Sequence, residues 1–230
     1  MVTPTGWPEL HGGHGGVRAR IGVLSVQGAY AAHAAVLAAM GATPVAVLEP
    51  GDLDGLDGLV LPGGESTTMA LLLRSGGLWD ALAVFLASGL PVLGTCAGAI
   101  LVARQILDGR AGQQSLGGAD IAVRRNGFGR QVESFETDLA WPDGPPLPAV
   151  FIRAPVIERT GPGVQVLARL GESHGHSPVL CRDGHIVIAT FHPELTGDQR
   201  VHELAFGEVL RQAGQPAPAS KARPEQRLTV

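Results

Sequence analysis

The sequence predicts an α/β fold, a three-layer sandwich in which a mostly parallel, open sheet carries helices on both faces. From Ile21 onward, short β-branched and apolar runs alternate with Ala- and Leu-rich stretches that suit helices. Three of the apolar runs lead into a glycine-containing turn and then into a helix. Strands that alternate with helices in this way are typical of a parallel sheet covered on both faces.

The composition indicates one compact domain. The chain has 230 residues, of which 45% are hydrophobic and 17% are charged, and its net charge is −4. These values exclude wholesale disorder, and the lack of a Lys/Arg cluster argues against nucleic acid as a partner. No apolar run reaches the roughly 20 residues of a membrane span, and residues 1–20 lack a signal-type apolar stretch. We therefore expect a cytoplasmic protein without membrane contact.

The first half of the chain contains four predicted strands. IGVLSV, from Ile21, precedes the helical stretch AYAAHAAVLAAM, and TPVAVLE is the next strand. LDGLVLP precedes helical TTMALLLRS, and LPVLGTC precedes AGAILVARQIL, which we expect to be helical over residues 97–107.

The second half departs from this regular winding. After Gly109 the Gly-rich, alternating sequence predicts extended strands and turns, followed by strands in AVFIRAPVIERT and GVQVLARL. Asp183-Gly184 between two β-rich runs predicts a tight hairpin, and DQRVHELAFGEVLRQAG is the predicted terminal helix. We expect a flexible leader over residues 1–20, a folded domain over 21–214 and a flexible tail over 215–230.

The strongest chemical signal is Cys96, which follows an apolar strand and has a glycine two residues away on each side. This G-x-C-x-G pattern is typical of a nucleophile elbow, because glycines permit a sharp turn from strand to helix. The helix N-terminus beyond the cysteine favours a thiolate. A buried structural cysteine is the alternative, and Cys181, which lacks flanking glycines, is interpreted in that way.

A base for this cysteine is present in FHPEL, at the end of the strand IVIATF. Residues two apart in an extended chain project to the same side, so Glu194 can accept a hydrogen bond from His192 and orient it. His192 can then accept the proton of Cys96 and return it to a leaving amine. Without the cysteine elbow, a histidine exposed on a loop would be the simpler interpretation.

A third loop, PGGES, follows the strand LVL and contains Gly63 and Gly64. Its N–H groups, together with that of Ala97, are candidates for an oxyanion hole. Such a loop can also hold a phosphate, although the Gly-Lys-Ser/Thr of a P-loop is absent. His174 and His176 lack the further ligands of a zinc site, so we expect no metal.

Together these segments resemble the class I, triad-type glutamine amidotransferases, and more narrowly the glutaminase subunits of pyridoxal 5′-phosphate synthase. The resemblance spans about residues 21–212 and rests on IGVLSVQGAYAAH, LVLPGGESTTM, GTCAGAILVA, RRNGFGRQVESFE, VFIRAP and FHPELTGDQRVHELAF. It implies that Cys96 is the nucleophile, His192 the base and Glu194 the carboxylate that orients the base. The residues that it assigns to glutamine binding or to the oxyanion hole are Gly64, Glu65, Ser66, Ala97, Arg125, Ile152 and Arg153, with Gly64 and Ala97 as the oxyanion donors.

The resemblance implies hydrolysis of L-glutamine to L-glutamate and ammonia through a γ-glutamyl thioester, without a cofactor. It also implies a partner, a TIM-barrel synthase subunit that uses the ammonia to make pyridoxal 5′-phosphate (vitamin B6), with up to twelve glutaminases on a ring of twelve synthase subunits. We expect the enzyme class to be hydrolase and, through the complex, also lyase. Docking is expected to rearrange the GGES loop, because a peptide flip costs least at Gly63-Gly64.

Two other functions stay open at this point. Another class I amidotransferase subunit, such as one that serves imidazole glycerol phosphate synthase, would use the same elbow and triad, but STTM after GGE and the NGFGRQ segment favour the narrower resemblance. A flavodoxin-like module that binds a phosphate at Gly63-Gly64 would need no nucleophile.

Overall fold

This computed structural model describes residue 7 and residues 18–109, 113–125, 127, 134–142 and 144–214. Most of the expected leader, the whole expected tail and most of the NGFGRQ segment lie outside these residues, so the domain boundaries stay a prediction. The strands are β1 Arg20–Leu24, β2 Thr43–Val47, β3 Gly58–Leu61, β4 Val92–Thr95, β5 Ala103–Ile106, β6 Ala119–Arg124, β7 Ser134–Leu139, β8 Leu147–Ile152, β9 Val156–Thr160, β10 Gln165–Arg169, β11 Pro178–Asp183 and β12 Ile186–Ala189. The helices are α1 Tyr30–Ala39, α2 Ser66–Ser75, α3 Leu78–Ala87, α4 Ala97–Val102 and α5 Arg200–Ala213.

A seven-stranded sheet with the order β10-β11-β12-β4-β3-β1-β2 forms the centre of the molecule. The strands from β12 to β2 are parallel to one another, and β10 and β11 form an antiparallel edge. A parallel arrangement requires crossover connections, which the helices supply. The carboxyl ends of β3, β4 and β12 therefore meet at one edge of the sheet.

Helices cover both faces of this sheet. On β3, Leu59 and Leu61 pack into the cluster formed with α2, α3 and α4, whereas Val60 packs into the cluster formed with α1 and α5. This alternation follows from the period of two in a strand, which sends successive side chains to opposite faces. The three-layer fold class expected from the sequence is confirmed.

Two smaller sheets and a hairpin complete the fold. Strands β5, β6 and β9 form one sheet, and β7 and β8 pair in an antiparallel ribbon. The expected hairpin joins β11 to β12, with Asp183 paired to Ile186 across a two-residue turn, Gly184 and His185. β8 and β12 both end beside the site described below.

The structure differs from the sequence prediction at two helices. The helix expected over 97–107 ends at Val102, because Ala103 is extended (φ −60°, ψ 146°) and β5 pairs with β6. Strand pairing outweighs the helix propensity of this Ala- and Leu-rich stretch. Helix α3 was not predicted, although its buried positions Leu78, Leu82 and Phe85 have helical spacing.

Among the described helices, none is by itself long and apolar enough to cross a membrane. Helices α2 and α3 meet that criterion only when taken together, and the chain bends by 104° between them.

Candidate active site

Cys96 occupies the sharp turn between β4 and α4. Its φ of +47° lies in the left-handed region, where a non-glycine residue is strained, and its N–H donates to the Ala189 carbonyl of β12 at 2.9 Å. A Cβ on Gly98 would lie 1.8 Å from the Leu61 carbonyl oxygen, so only glycine lets α4 start this close to β3. The G-x-C-x-G pattern therefore serves close packing as well as the turn.

His192 and Glu194 follow β12, where a short 3₁₀ helix, Pro193–Leu195, begins. His192 Nδ1 lies 2.7 Å from Glu194 Oε1, and the Glu194 side chain is fully buried. Because a carboxylate only accepts hydrogen bonds, Nδ1 must be the donor. The backbone N–H of His192 donates to the Val150 carbonyl of β8 at 2.8 Å, which anchors the segment that bears the imidazole.

The charges around His192 favour an imidazolium. Burial lowers the pKa of His192, but hydrogen bonds with Cys96 and Glu194, and the negative charge on both, raise it well above its ordinary 6.5. Burial raises the pKa of Glu194, but the electrostatic influence of His33 and the hydrogen bond and charge of His192 lower it overall, below 4.5. The imidazolium of His192 therefore lies between Cys96 and Glu194, which both accept hydrogen bonds from its N–H groups.

A cleft of about 540 Å³ opens in front of this pair. It contains every residue that the sequence analysis assigned to catalysis, glutamine binding or the oxyanion hole, except Glu194, which lies behind His192. Gly63, the other glycine of the PGGES loop, also lines the cleft, and four further residues, Gln27, Gly28, Ala29 and Ile100, were not predicted from the sequence. The cleft is lined by Gln27, Gly28, Ala29, Gly63, Gly64, Glu65, Ser66, Cys96, Ala97, Ile100, Arg125, Ile152, Arg153 and His192.

The GGES loop is tied to the segment that precedes α1. The Ala29 N–H donates to the Gly63 carbonyl at 3.0 Å, and the Glu65 N–H donates to Gln27 Oε1 at 2.9 Å. A Cβ on Gly63 would lie 3.3 Å from Cys96 Cβ, so the loop passes directly over the nucleophile elbow.

Glu65 caps helix α2 with its side chain. One carboxylate oxygen accepts from the Thr67 N–H at 3.2 Å, and the other accepts from the Thr68 N–H and hydroxyl, each at 2.7 Å. Burial raises the pKa of Glu65, but these hydrogen bonds lower it to about 2 overall. The carboxylate is therefore committed to the helix, although the residue also lines the cleft.

Two arginines contribute positive charge to the cleft. Arg125, after β6, donates from Nη1 to Thr67 Oγ1 at 3.1 Å, and its buried Nε has no partner among the described residues. Arg153, after β8, is exposed and has a φ of +44°. Ile152, beside it, contributes a carbonyl oxygen 3.8 Å from Cys96 Sγ.

Comparison with known proteins identifies the family. The sequence matches the SNO glutamine amidotransferase family over residues 23–211. This chain belongs to that family. The pyridoxal 5′-phosphate synthase subunit PdxT of Parafrankia sp. strain EAN1pec is 54% identical over 84% of this chain and 93% of its own, and PdxT of Nocardia farcinica is 52% identical over 87% and 89%. A crystal structure of a glutamine amidotransferase is 44% identical and superposes with a TM-score of 0.75, covering 81% of this chain and 97% of its own.

The resemblance, function and enzyme class inferred from the sequence are thereby confirmed: the chain is a glutamine amidotransferase whose relatives are subunits of pyridoxal 5′-phosphate synthase. One expectation is wrong. The class lyase does not apply to this chain, because the family that it matches is one of glutamine amidotransferases.

Two buried histidines of this glutamine amidotransferase lie directly behind Glu194. His33 on α1 and His202 on α5 are both fully buried, and His33 Nδ1 lies 2.9 Å from His202 Nε2. His33 Nε2 lies 3.1 Å from Thr95 Oγ1 and 3.2 Å from Glu194 Oε2. No short sequence pattern pairs either histidine with a partner. The only local signal was an ionisable residue on the apolar face of each helix.

The second cysteine of this amidotransferase is a core residue. Cys181 is fully buried in β11, and burial raises the pKa of its thiol to about 12, although the charge of Arg169 opposes this. A thiol with so high a pKa is unreactive at neutral pH, which agrees with its interpretation as a packing residue.

Proposed function

We propose that Cys96, His192 and Glu194 are the catalytic triad with which this glutamine amidotransferase hydrolyses L-glutamine to L-glutamate and ammonia. The arrangement of His192 carries this proposal: it contacts the cysteine of the elbow on one side and a buried carboxylate, 2.7 Å away, on the other. A nucleophile, a base and a group that orients the base are the parts that acyl transfer requires.

The first half of the reaction forms a thioester. His192 holds the proton of Cys96, and the thiolate attacks the side-chain amide carbon of glutamine. The N–H groups of Gly64 and Ala97 stabilise the oxyanion, and both residues line the cleft. His192 then gives the proton to the amide nitrogen, the C–N bond breaks and ammonia leaves.

The second half of the reaction releases glutamate. His192, now neutral, takes a proton from water, and the hydroxide attacks the thioester carbonyl carbon. The C–S bond breaks, and Cys96 leaves as a thiolate beside the reprotonated imidazole. Glu194 keeps its charge throughout and holds the ring through Nδ1.

The cleft has the size and charge that glutamine needs. Its volume of about 540 Å³ lies within the usual range for a small-molecule site. Arg125 and Arg153 supply positive charge for the α-carboxylate, and the unpartnered Nε of Arg125 is a donor that the substrate can use. Gly64, Glu65, Ser66 and Ile152 complete the proposed glutamine contacts.

The ammonia passes to a synthase subunit that makes pyridoxal 5′-phosphate. Relatives at 54% and 52% identity carry the name of a subunit of that synthase, which supports this assignment. We propose a TIM-barrel partner, up to twelve glutaminases on a ring of twelve synthase subunits, and a cytoplasmic location. Docking would flip the Gly63-Gly64 peptide, which requires that the bond between the Gly63 carbonyl and the Ala29 N–H break.

Labelling tests the nucleophile. A diazo-ketone analogue of glutamine should modify Cys96 and spare the buried Cys181, and glutamine should protect against the modification. Peptide mass spectrometry of the full chain locates the label. Labelling that glutamine does not suppress would favour a phosphate-binding module instead.

Reconstitution tests the pathway. The chain is mixed with the synthase subunit, glutamine, ribose 5-phosphate and glyceraldehyde 3-phosphate, and the absorbance of pyridoxal 5′-phosphate is followed. Cys96→Ala should abolish the signal driven by glutamine and leave the signal driven by ammonium intact. Equal signals from the variant and the unmodified chain with glutamine would refute the proposed nucleophile.

A further inference from the structure

We propose that His33 is a positioning residue for the reaction: backed by His202, it holds the second oxygen of Glu194 and thereby fixes the carboxylate that orients His192. This inference rests on the proposed function and extends the triad inward to two helices. The two histidines are 169 residues apart in sequence, yet they meet behind the triad.

The two oxygens of Glu194 face different histidines. Oε1 shares a hydrogen bond with His192 Nδ1 at 2.7 Å, whereas Oε2 has no hydrogen bond among the described residues and lies 3.2 Å from His33 Nε2, an electrostatic contact. The carboxylate is fully buried, so water cannot replace either neighbour. A buried carboxylate held at one oxygen alone can rotate about its last torsion, whereas the electrostatic contact of Oε2 with His33 opposes that rotation and keeps Oε1 facing His192.

The tautomer of the buried pair follows from its neighbours. If His33 carried its proton on Nδ1, the lone pair of Nε2 would face a carboxylate oxygen 3.2 Å away, and His202 would bury an N–H on Nδ1 without a partner. With the proton of His33 on Nε2, this N–H hydrogen-bonds Thr95 Oγ1 and lies 3.2 Å from Glu194 Oε2, and Nδ1 accepts from the Nε2–H of His202. The two buried atoms of this cluster without a hydrogen bond, His202 Nδ1 and Glu194 Oε2, are then both acceptors, which costs less than a buried donor.

Burial keeps this pair neutral. It lowers the pKa of His33, which the charge of Glu194 opposes and that of His192 reinforces, and it lowers the pKa of His202 to about 3. A cationic His33 would repel the imidazolium of His192 and compete with it for the carboxylate. A neutral His33 supplies an N–H dipole to Glu194 without either effect.

The groups that face Glu194 come from each element packed against it. They are His192 on its own segment, His33 on α1 and His202 on α5; at the end of β4, Thr95 hydrogen-bonds His33 and Cys96 hydrogen-bonds His192. Without the His33 N–H, the carboxylate of Glu194 is free to turn, so Oε1 no longer holds the imidazolium of His192 in one orientation and the imidazolium stabilises the thiolate less. The midpoint of Cys96 alkylation should move to higher pH.

The experiment compares His33→Leu with His33→Gln in the full chain. Iodoacetamide modification of Cys96 is measured from pH 4 to pH 10 by mass spectrometry, together with kcat and KM of glutaminase activity in the presence of the synthase subunit. For H33L we expect the alkylation midpoint to rise by roughly one pH unit and kcat to fall about tenfold, with KM changed less than about twofold. H33Q should recover most of both losses, because its amide can donate to Glu194 and accept from His202.

A purely structural role gives a different result. H33L would then melt at a lower temperature but keep the alkylation midpoint of the unmodified chain, and H33Q would offer no recovery; either finding overturns the inference. If H33L does not fold, His202→Leu is the second variant, because it removes only the donor that fixes the tautomer of His33. It should shift the alkylation midpoint of Cys96 in the same direction by a smaller amount. An unshifted midpoint counts against the inference. Failure of the proposed function is separate, because the unmodified chain would then show no glutamine-protected labelling of Cys96.

Discussion

The backbone of Gly63 lies directly against the imidazole of His192. A Cβ at this position would lie 2.3 Å from His192 Cε1 and 3.0 Å from Nδ1. No real Cβ tolerates such a distance, so any side chain here must displace the ring or the loop. The same glycine carries the carbonyl that accepts from Ala29, so one residue couples the GGES loop, the segment before α1 and the base.

Gly63→Ala should therefore reduce glutaminase activity by about 100-fold, because a displacement of about 1 Å in a reacting group costs this much. The measurement is kcat/KM of glutaminase with the synthase subunit, and circular dichroism monitors folding. Gly163→Ala is the matched control, since a Cβ there meets nothing within 4 Å. If G63A and G163A have equal activity, the contact has no catalytic consequence.

Arg125 tests how the substrate is held. Arg125→Gln should raise the KM for glutamine by about 10- to 100-fold with a smaller effect on kcat, because a lost charge-assisted hydrogen bond weakens binding by about 1.5–3 kcal/mol. Steady-state glutaminase kinetics provide the measurement. The neighbouring Arg124→Gln is the control, since Arg124 pairs with Glu158 at 2.7 Å outside the cleft. Similar KM values for the two variants would mean that Arg125 does not bind glutamine.

Sequence patterns predicted those parts of the site that depend on short spacing. The glycines flanking Cys96 indicated the elbow, and the separation of two residues indicated the contact between His192 and Glu194. Each is a local consequence of backbone geometry at the end of a strand. Arg125 was found through resemblance alone, because its position depends on how β6 packs beside the large sheet.

The buried histidine pair shows what local patterns cannot predict. His33 and His202 meet only because α1 and α5 cover the same face of the sheet, which is a property of the whole topology. The end of α4 at Val102 has a similar origin, since β5 leaves the helix to pair with β6. In both cases the deciding contact is distant in sequence.

Glu65 has a structural role that can be separated from the cleft. Glu65→Ala removes the cap of α2 and should lower the free energy of unfolding by about 1 kcal/mol, whereas Glu65→Gln, which keeps an acceptor oxygen, should lose less. Because hydrogen bonds depress the pKa of this carboxyl to about 2, its contribution is present above pH 4.5 and is lost as the pH falls toward 2. Urea unfolding at pH 7 and pH 3 measures both effects. Equal stability of E65A and the unmodified chain at pH 7 would contradict a capping role.

His33 and His202 should make the protein sensitive to mild acid. Burial lowers the pKa of both below 6.5 in the folded chain, to about 3 for His202, so below pH 6.5 the unfolded chain binds protons that the native chain does not. Stability contributed by the neutral pair is therefore present above pH 6.5 and falls with decreasing pH, by up to about 1.4 kcal/mol per pH unit for each histidine. The contribution of His192 to stability depends on pH in the opposite direction. Because its pKa is raised in the folded chain, this contribution is present at low pH and is lost only as the pH rises.

His202→Leu isolates the buried pair from His192. The variant should be less stable than the unmodified chain at pH 7, because it loses the hydrogen bond to His33, but its stability should fall less steeply between pH 6.5 and pH 4.5. Urea unfolding at half-unit intervals of pH measures the two slopes. His176→Asn, at an exposed position whose φ of +53° asparagine tolerates, should keep the slope of the unmodified chain. Parallel curves for H202L and the unmodified chain would mean that His202 is protonated in the folded state and that the neutral pair inferred behind Glu194 does not exist.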